Sequence, residues 1–597
     1  MPGTRATHLL TTAVLAFAPT GCAHASGPPR PPTAPLAKPS LPPELAADPV
    51  LAAMSDELDR SAAGLRLPGY EAPYYVSFVV QETAGYEVKA KQAALAASRP
   101  THQRRAAVDV RIGSYALDNS DDNEPEWTGD DELFEPSNTV PLEDPSPQAL
   151  RRALWLLTDF RYKQALASYL KLRGQGVYRV DEPSRAPSFS PAEVVIAGDP
   201  IPPLADPRDA WNALARRLSE RLAAQPGMLD SEVQLEVERE TRWLVTTEGT
   251  RLRTSRTLYA LHATGWIQAP DGMILDAATD LYAPSAAGFM DETRLMPAID
   301  KLATTLTALR DAPLLEPYTG PAIIESAATG VLFHEVLGHR LEGRRRDDDS
   351  DGQTFGRTLG QPILPPFLSL IDDPTLATLD GVPLNGHYAI DDEGVRARRV
   401  VLVDHGVLRA FLSARRPGPG ATRSNGHGRA EGIHRPVARQ GSLILLAHEH
   451  VDDAELKRRL LAEAKQQGRP FGLIIRELSG GSTNTSSRGY QAFKGEARQV
   501  YKVDLETGRE TLVRGVDLVG TPLILLSKIA AVGDRVGIFN GFCGAESGMV
   551  PVSAVAPSVF IREIELQRSS RPRARPPVLP PPPSDTTPAG TDGGRPR

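Results

Sequence analysis

Hydrophobic and polar positions change period repeatedly along this chain, and each change predicts an element. Apolar residues at helical spacing run through 45–65 and stop at Pro68-Gly69, predicting a helix closed by a turn. Residues 74–80 and 105–115 have strand character, whereas 93–97 fits helix or strand equally. The amphipathic stretch 146–172 predicts one long helix or a helix pair, with Leu150, Leu154, Trp155, Phe160, Leu166 and Leu170 as its core members. Residues 181–203 read as loop, 208–223 as helix, and 231–239, 241–247 and a pair around 254–264 as strands. Glu248-Gly249-Thr250 has the composition of a hairpin turn between two of them. A helix at 292–310 ends this half, and 313–320 is the expected boundary.

In the second half a short strand at 322–326 feeds an apolar helix. Short strands with Gly and Pro between them follow at 368–371, 398–403, 407–413, 441–447, 471–476, 497–504, 510–513 and 550–557. One helix, 453–467, interrupts them, with Asp452-Asp453 at its start and Gly468 after its end. The fold class is therefore α+β: an N-terminal α/β region of mixed strands and helices at 45–315, then a β-rich domain at 316–568.

Composition matters most at the two ends. Arg5, an apolar core at 9–18 and Ala23-His24-Ala25 predict an export signal over 1–25. Thr20-Gly21-Cys22 is also similar to the end of a lipobox, although Pro19 stands where an aliphatic residue is usual. The expectation is a periplasmic or envelope location, with membrane contact only through a lipid on Cys22. Residues 26–44 form a Pro- and Ala-rich linker, and 569–597 a Pro-rich tail expected to be disordered. The acidic stretch 119–135 reads as a solvated loop. A formal net charge of −7, well mixed along the chain, gives no footprint for a nucleic-acid partner. Of the two cysteines, Cys22 belongs to the signal, so Cys543 has no disulfide partner; burial or coordination would protect it.

The candidate chemistry lies in His334-Glu335-Val336-Leu337-Gly338-His339, inside an apolar run. Two imidazoles suit Zn²⁺, and a neighbouring carboxylate can take a proton from water on the metal. The gap is one residue longer than in His-Glu-x-x-His, and positions i and i+5 lie about 140° apart on an ideal helix. Both rings reach one metal only if the helix ends, tightens or bulges between them, most cheaply at Gly338. The competing expectation is an amphipathic helix with two polar-face histidines. Glu342 is a candidate third ligand, and Cys543 is either a buried core residue or a ligand.

Four motifs carry a family resemblance. Tyr318-Thr319-Gly320-Pro321 precedes the His334–Gly343 run; Ile390-Asp391-Asp392-Glu393-Gly394 and Val407-Leu408-Arg409-Ala410-Phe411-Leu412 follow. Gly541-Phe542-Cys543-Gly544, with Val550-Pro551-Val552 and Ala556-Pro557 behind it, completes the set. In this order they resemble the TldD/PmbA zinc metallopeptidases, also labelled "modulator of DNA gyrase", over roughly 318–566. The N-terminal half resembles the family only loosely. The resemblance implies one Zn²⁺ per chain held by His334, His339 and Cys543, with Glu335 as general base and a metal-bound water as nucleophile. It implies hydrolysis of short or unstructured peptides by a catalytic, TldD-like subunit in a homodimer, or in a heterodimer with a related family subunit. Family members are typically cytoplasmic, so the export signal departs from the pattern. The rival is a catalytically weak, zinc-stabilised envelope protein that binds peptides or a partner.

Other residues have weaker claims. His427 and His434, in the Gly-rich stretch 423–435, read as part of a solvated loop rather than a channel lining. His448 and His450 read as structural, and Asp347–Asp349 beside Arg344–Arg346 as a charged loop near the site. Ser479-Gly480-Gly481-Ser482 and Arg488-Gly489 are candidates for holding a substrate backbone.

Overall fold

Two sheets organise the computed structural model, which describes residues 41–121, 136–140, 146–176, 186–204, 207–343, 355, 358–418, 421–483 and 493–579. The export signal, most of the linker and acidic stretch, the charged loop at 344–349, Arg488-Gly489 and residues 580–597 lie outside the described residues.

The first sheet has the order Ala94–Arg111, Tyr75–Lys91, Met228–Thr246, Arg251–Gln268, Ile196–Gly198, with Ile274–Ala283 also paired to Arg251–Gln268. Strict alternation puts Val233, Leu235 and Val237 against the helices Arg208–Ala223 and Glu292–Asp311. A second cluster joins the sheet to the helices Pro49–Gly64 and Pro147–Gly176. The helix Pro49–Gly64 starts on Asp48, whose carboxylate accepts from the amides of Val50 and Leu51.

Several expectations are corrected here. The strands expected at 231–239 and 241–247 are one strand, Met228–Thr246. The charged residues at the expected break are matched across strands, Glu240 with Arg256 at 3.4 Å and Arg239 with Glu82 at 3.8 Å. The ambiguous 93–97 stretch and the strand expected at 105–115 form one strand, Ala94–Arg111, which turns back from Tyr75–Lys91 through positive-φ Gln92 and Ala93. Trp155 and Leu170 are each 42% exposed rather than core, so the long helix is less deeply packed than its pattern promises. The tail does not begin at 569. Pro572 and Gly272 carbonyls accept from Ile274 and Ala574 amides, and Arg571 pairs with Asp276. Backbone pairing needs no apolar side chain, so a composition reading misses it.

The second sheet has eleven strands and is built on the long strand Gly548–Arg568. That strand pairs with Ser442–Ala447, Val516–Gly520, Ile529–Ala545 and Tyr318–Ile324. Tyr318–Ile324 pairs on its other side with Phe471–Thr483, which pairs with Phe493–Asp504 and through it with Val516–Gly520, so five strands close into a ring. The helix Ser326–Val336 packs against Phe471–Thr483, Ile529–Ala545 and Gly548–Arg568. Eight of its eleven residues are buried, so it has no solvated face and the amphipathic expectation fails. Arg415, 1% exposed, ties the sheets together through Glu248 at 2.7 Å, the Ser190 carbonyl and the Tyr75 hydroxyl.

Candidate metal centre

The helix carrying His334 stops at Val336, and the chain tightens into a 3₁₀ turn, Gly338–Leu341, that carries His339. The break needed for an i, i+5 pair is therefore present, and the two rings lie 4.9 Å apart at 80°. Gly338 serves the break sterically. A Cβ there would overlap the side-chain amide of Gln440, which packs over the turn.

Cys543 arrives from the hairpin Ile529–Ala545/Gly548–Arg568, opposite Val550. Its Sγ lies 3.2 Å from His334 Nε2 and 3.4 Å from His339 Nε2. All three donor atoms fall within 4.8 Å of one another, and all three residues are buried. Tetrahedral zinc with ordinary Zn–N and Zn–S bonds has ligand N···S edges of about 3.6 Å. The spacing, the two-nitrogen-one-sulfur chemistry and the common focus of both Nε2 atoms on the sulfur fit that ion. His334 Nδ1 is buried with no hydrogen-bond partner among the described residues, whereas His339 Nδ1 meets Glu342 Oε2 at 3.2 Å. Glu342 thus sits behind His339 rather than among the three donors, the place of a carboxylate that orients a ligating imidazole.

A residue unnoticed in the sequence closes this network. The Arg439 guanidinium, fully buried, donates to Cys543 Sγ at 3.2 Å and to the Cys543 carbonyl at 2.6 Å. Its Nε lies 3.5 Å from Glu342 Oε1. One cation therefore faces both the sulfur and the carboxylate behind His339, which offsets the cost of burying them. No local sequence signal marks it, because nothing near 439 resembles a site.

Burial pushes the Cys543 thiol up, but the His334 and His339 imidazoles outweigh it and hold the thiol well below its ordinary value. Burial works against charge on His339 as well; Glu342 and Cys543 prevail and push it up to about 10. Glu335 is raised chiefly by burial, against the pull of the two imidazoles.

Glu335 lines a cavity of about 490 Å³ together with His334, His339 and Cys543. The strand end Ser479–Thr483 lines the same cavity, so the Ser479-Gly480-Gly481-Ser482 candidate is at the site. Gly481 is required there, since a Cβ would sit 2.6 Å from Glu335 Cγ. His427 is not in a solvated loop: it is fully buried, 3.2 Å from Asp372, and belongs to the packing. His434 is exposed, as expected. His448 stacks on His405 at 4.0 Å, outside the site. In the Ile390–Gly394 motif, Asp391 accepts from the amides of Glu393, Val395 and Gly428, so it shapes a turn.

The α+β fold thus sets a buried two-imidazole, one-thiol cluster, a donor set suited to a metal, beside a cavity glutamate. Residues 317–568 match the family model for the PmbA/TldA metallopeptidase C-terminal domain. Relatives include a metalloprotease of Archaeoglobus fulgidus, 31% identical over 40% of this chain and 51% of its own. A metalloprotease TldD homolog of Haemophilus influenzae is 30% identical over 41% of this chain and 47% of its own. The chain spans about half the length of the curated relatives it matches. Among solved structures, TldE from Thermococcus kodakarensis aligns over 86% of this chain and all of its own, with TM-score 0.56 at 12% identity. A putative modulator of a DNA gyrase from Thermotoga maritima aligns over 82% of this chain and 96% of its own, with TM-score 0.55 at 15% identity. These two likenesses show that the fold extends through the N-terminal half, which the family model does not reach.

Proposed function

We propose that this chain is an exported zinc-dependent peptidase that cleaves short or unstructured peptides, with His334, His339 and Cys543 holding the metal. One observation carries the reading: three donor atoms from two distant segments meet within 4.8 Å beside a glutamate that faces an open cavity. Zinc, when bound, supplies a Lewis acid that polarises a carbonyl and acidifies water. Glu335 takes the proton of the attacking water and returns one to the leaving amine. Arg439 and Glu342 hold the sulfur and the second imidazole in register. The strand end Ser479–Thr483 offers backbone groups to an extended peptide. A second subunit, the same or related, completes the proposed assembly, and the 1–25 segment supports export.

The test is metal analysis of the purified protein combined with cleavage of an unstructured peptide mixture. One zinc per chain and peptide hydrolysis are expected. Glu335→Gln is expected to keep the zinc and lose activity by about 10²–10⁴-fold. Fully zinc-loaded wild type that cleaves nothing would replace this reading with the non-catalytic peptide binder. Intact mass of the protein secreted by its native host tests export, and an unprocessed Met1 overturns that part alone.

A further inference from the structure

One wall of the cavity is apolar, and it is built by the same elements that carry the donors. Val331 lies one helical turn before His334, and Phe539 lies two strand steps before Cys543. Gly541, between Phe539 and Cys543, leaves room for the Phe539 ring; a Cβ there would sit 2.7 Å from its Cζ. Phe542, adjacent to Cys543 and so on the opposite face of the strand, also lines the cavity and is 38% exposed.

The Phe542 ring is held from behind by the first sheet. It meets Tyr282, on Ile274–Ala283, edge to face at 5.9 Å. Tyr282 in turn meets the His262 ring at 5.6 Å. His262 is fixed by Asp280 at 2.6 Å and Glu236 at 3.3 Å. An aromatic side chain that is part exposed, concave in setting and braced on its far side is the usual form of a binding contact, not of a solvated surface residue.

We propose that Phe542 provides a side-chain subsite at the cavity that takes an aromatic or large aliphatic residue flanking the cleaved bond. The inference rests on the peptidase reading and adds its substrate class. Phe542 is the specificity-determining contact, and Tyr282 is a positioning residue that acts through it. Because Phe542 adjoins Cys543 on one strand, the subsite is in fixed register with the reacting carbonyl. Apolar subsites of this kind discriminate by about 10–200-fold.

The experiment uses the full zinc-loaded chain and quenched peptides differing only in Phe, Leu, Gly or Asp at either residue flanking the cleaved bond. At one of these positions kcat/KM for Phe and Leu is expected to exceed that for Gly and Asp by about 10–200-fold. Phe542→Ala is expected to bring that ratio to within about threefold while zinc content stays at one per chain. Tyr282→Ala lowers the ratio and Tyr282→Phe restores it, which a general loss of packing would not do. Equal values for the four peptides, or a ratio untouched in Phe542→Ala, overturns the subsite. Binding of the same peptides to zinc-loaded Glu335→Gln, followed by calorimetry, reads the subsite without turnover. A Phe-over-Asp preference there supports the subsite even if wild type cleaves nothing, a result that overturns only the peptidase reading; no preference overturns the subsite.

Discussion

Of the histidines paired with carboxylates, His262 and His339 make the sharpest contrast, since only His339 has the makings of a metal ligand. His262, on the face of the first sheet, lies between Asp280 at 2.6 Å and Glu236 at 3.3 Å. Burial works against its charge, but the two carboxylates win and push its pKa up to about 9. Each ring nitrogen has its own acceptor, so one proton on the imidazole completes the cluster. His339 is raised to about 10 by a different arrangement. Glu342 takes only Nδ1, and Nε2 faces the Cys543 sulfur together with Nε2 of His334. Three donor lone pairs there converge on one point, which suits a cation better than a shared proton. A carboxylate-flanked histidine is thus a closed ion cluster when both nitrogens are occupied, and a ligand when one nitrogen is left to share a focus.

The comparison can be broken most sharply at the focus itself. Cys543→Ser or His339→Ala is expected to lower zinc content from one per chain to near zero after desalting, while His262→Asn leaves it at one; metal analysis reads all three. The next effect lies behind the focus. Arg439→Met is expected to weaken zinc binding by about 10–100-fold in chelator competition and to displace the sulfur-to-metal band of the cobalt-substituted protein. Glu342→Gln keeps a hydrogen-bonding group against His339 and is expected to cost about tenfold. Equal zinc affinity in wild type and both variants would remove the network from the account of the site.

The smallest effect belongs to the closed cluster. The folded-state pKa of His262, about 9, lies above its unfolded value of about 6.5. Its contribution to stability is therefore fully present below about pH 6.5 and is lost as pH rises through 9. Partial exposure and salt screening hold that contribution to about 1–2 kcal/mol. Urea midpoints of wild type and His262→Asn should differ at pH 6 and coincide at pH 10. A difference that persists at pH 10 would assign it to packing against Tyr282 instead of charge.

Much of this was legible before folding. His334-Glu335 and His339 stand in one apolar run, and the extra residue between the imidazoles already required the helix to end or tighten there. Cys543 stood out as an unpaired thiol, but only the resemblance joined it to the histidines, since nothing within the chain's own spacing links it to a motif over two hundred residues away. Element types were readable wherever the period was clean, as in Arg208–Ala223 and Glu292–Asp311. They were misread where charges interrupted the alternation, as at Glu238-Arg239-Glu240, because cross-strand partners are invisible along the chain. His427 was misplaced for a related reason: a Gly-rich neighbourhood suggests solvent, but Asp372 and the surrounding strands bury it.

Local order along the chain determined the element types, the break between the two imidazoles and the identity of the general base candidate, because these depend on neighbours a few residues apart. Tertiary structure alone decided that Cys543 faces both rings, that Arg439 lies behind the sulfur, and that Tyr282 braces Phe542 beside it. Those contacts join segments brought together only when the ring of strands closes around a helix with no polar face, and closure is a property of the whole sheet rather than of any stretch within it.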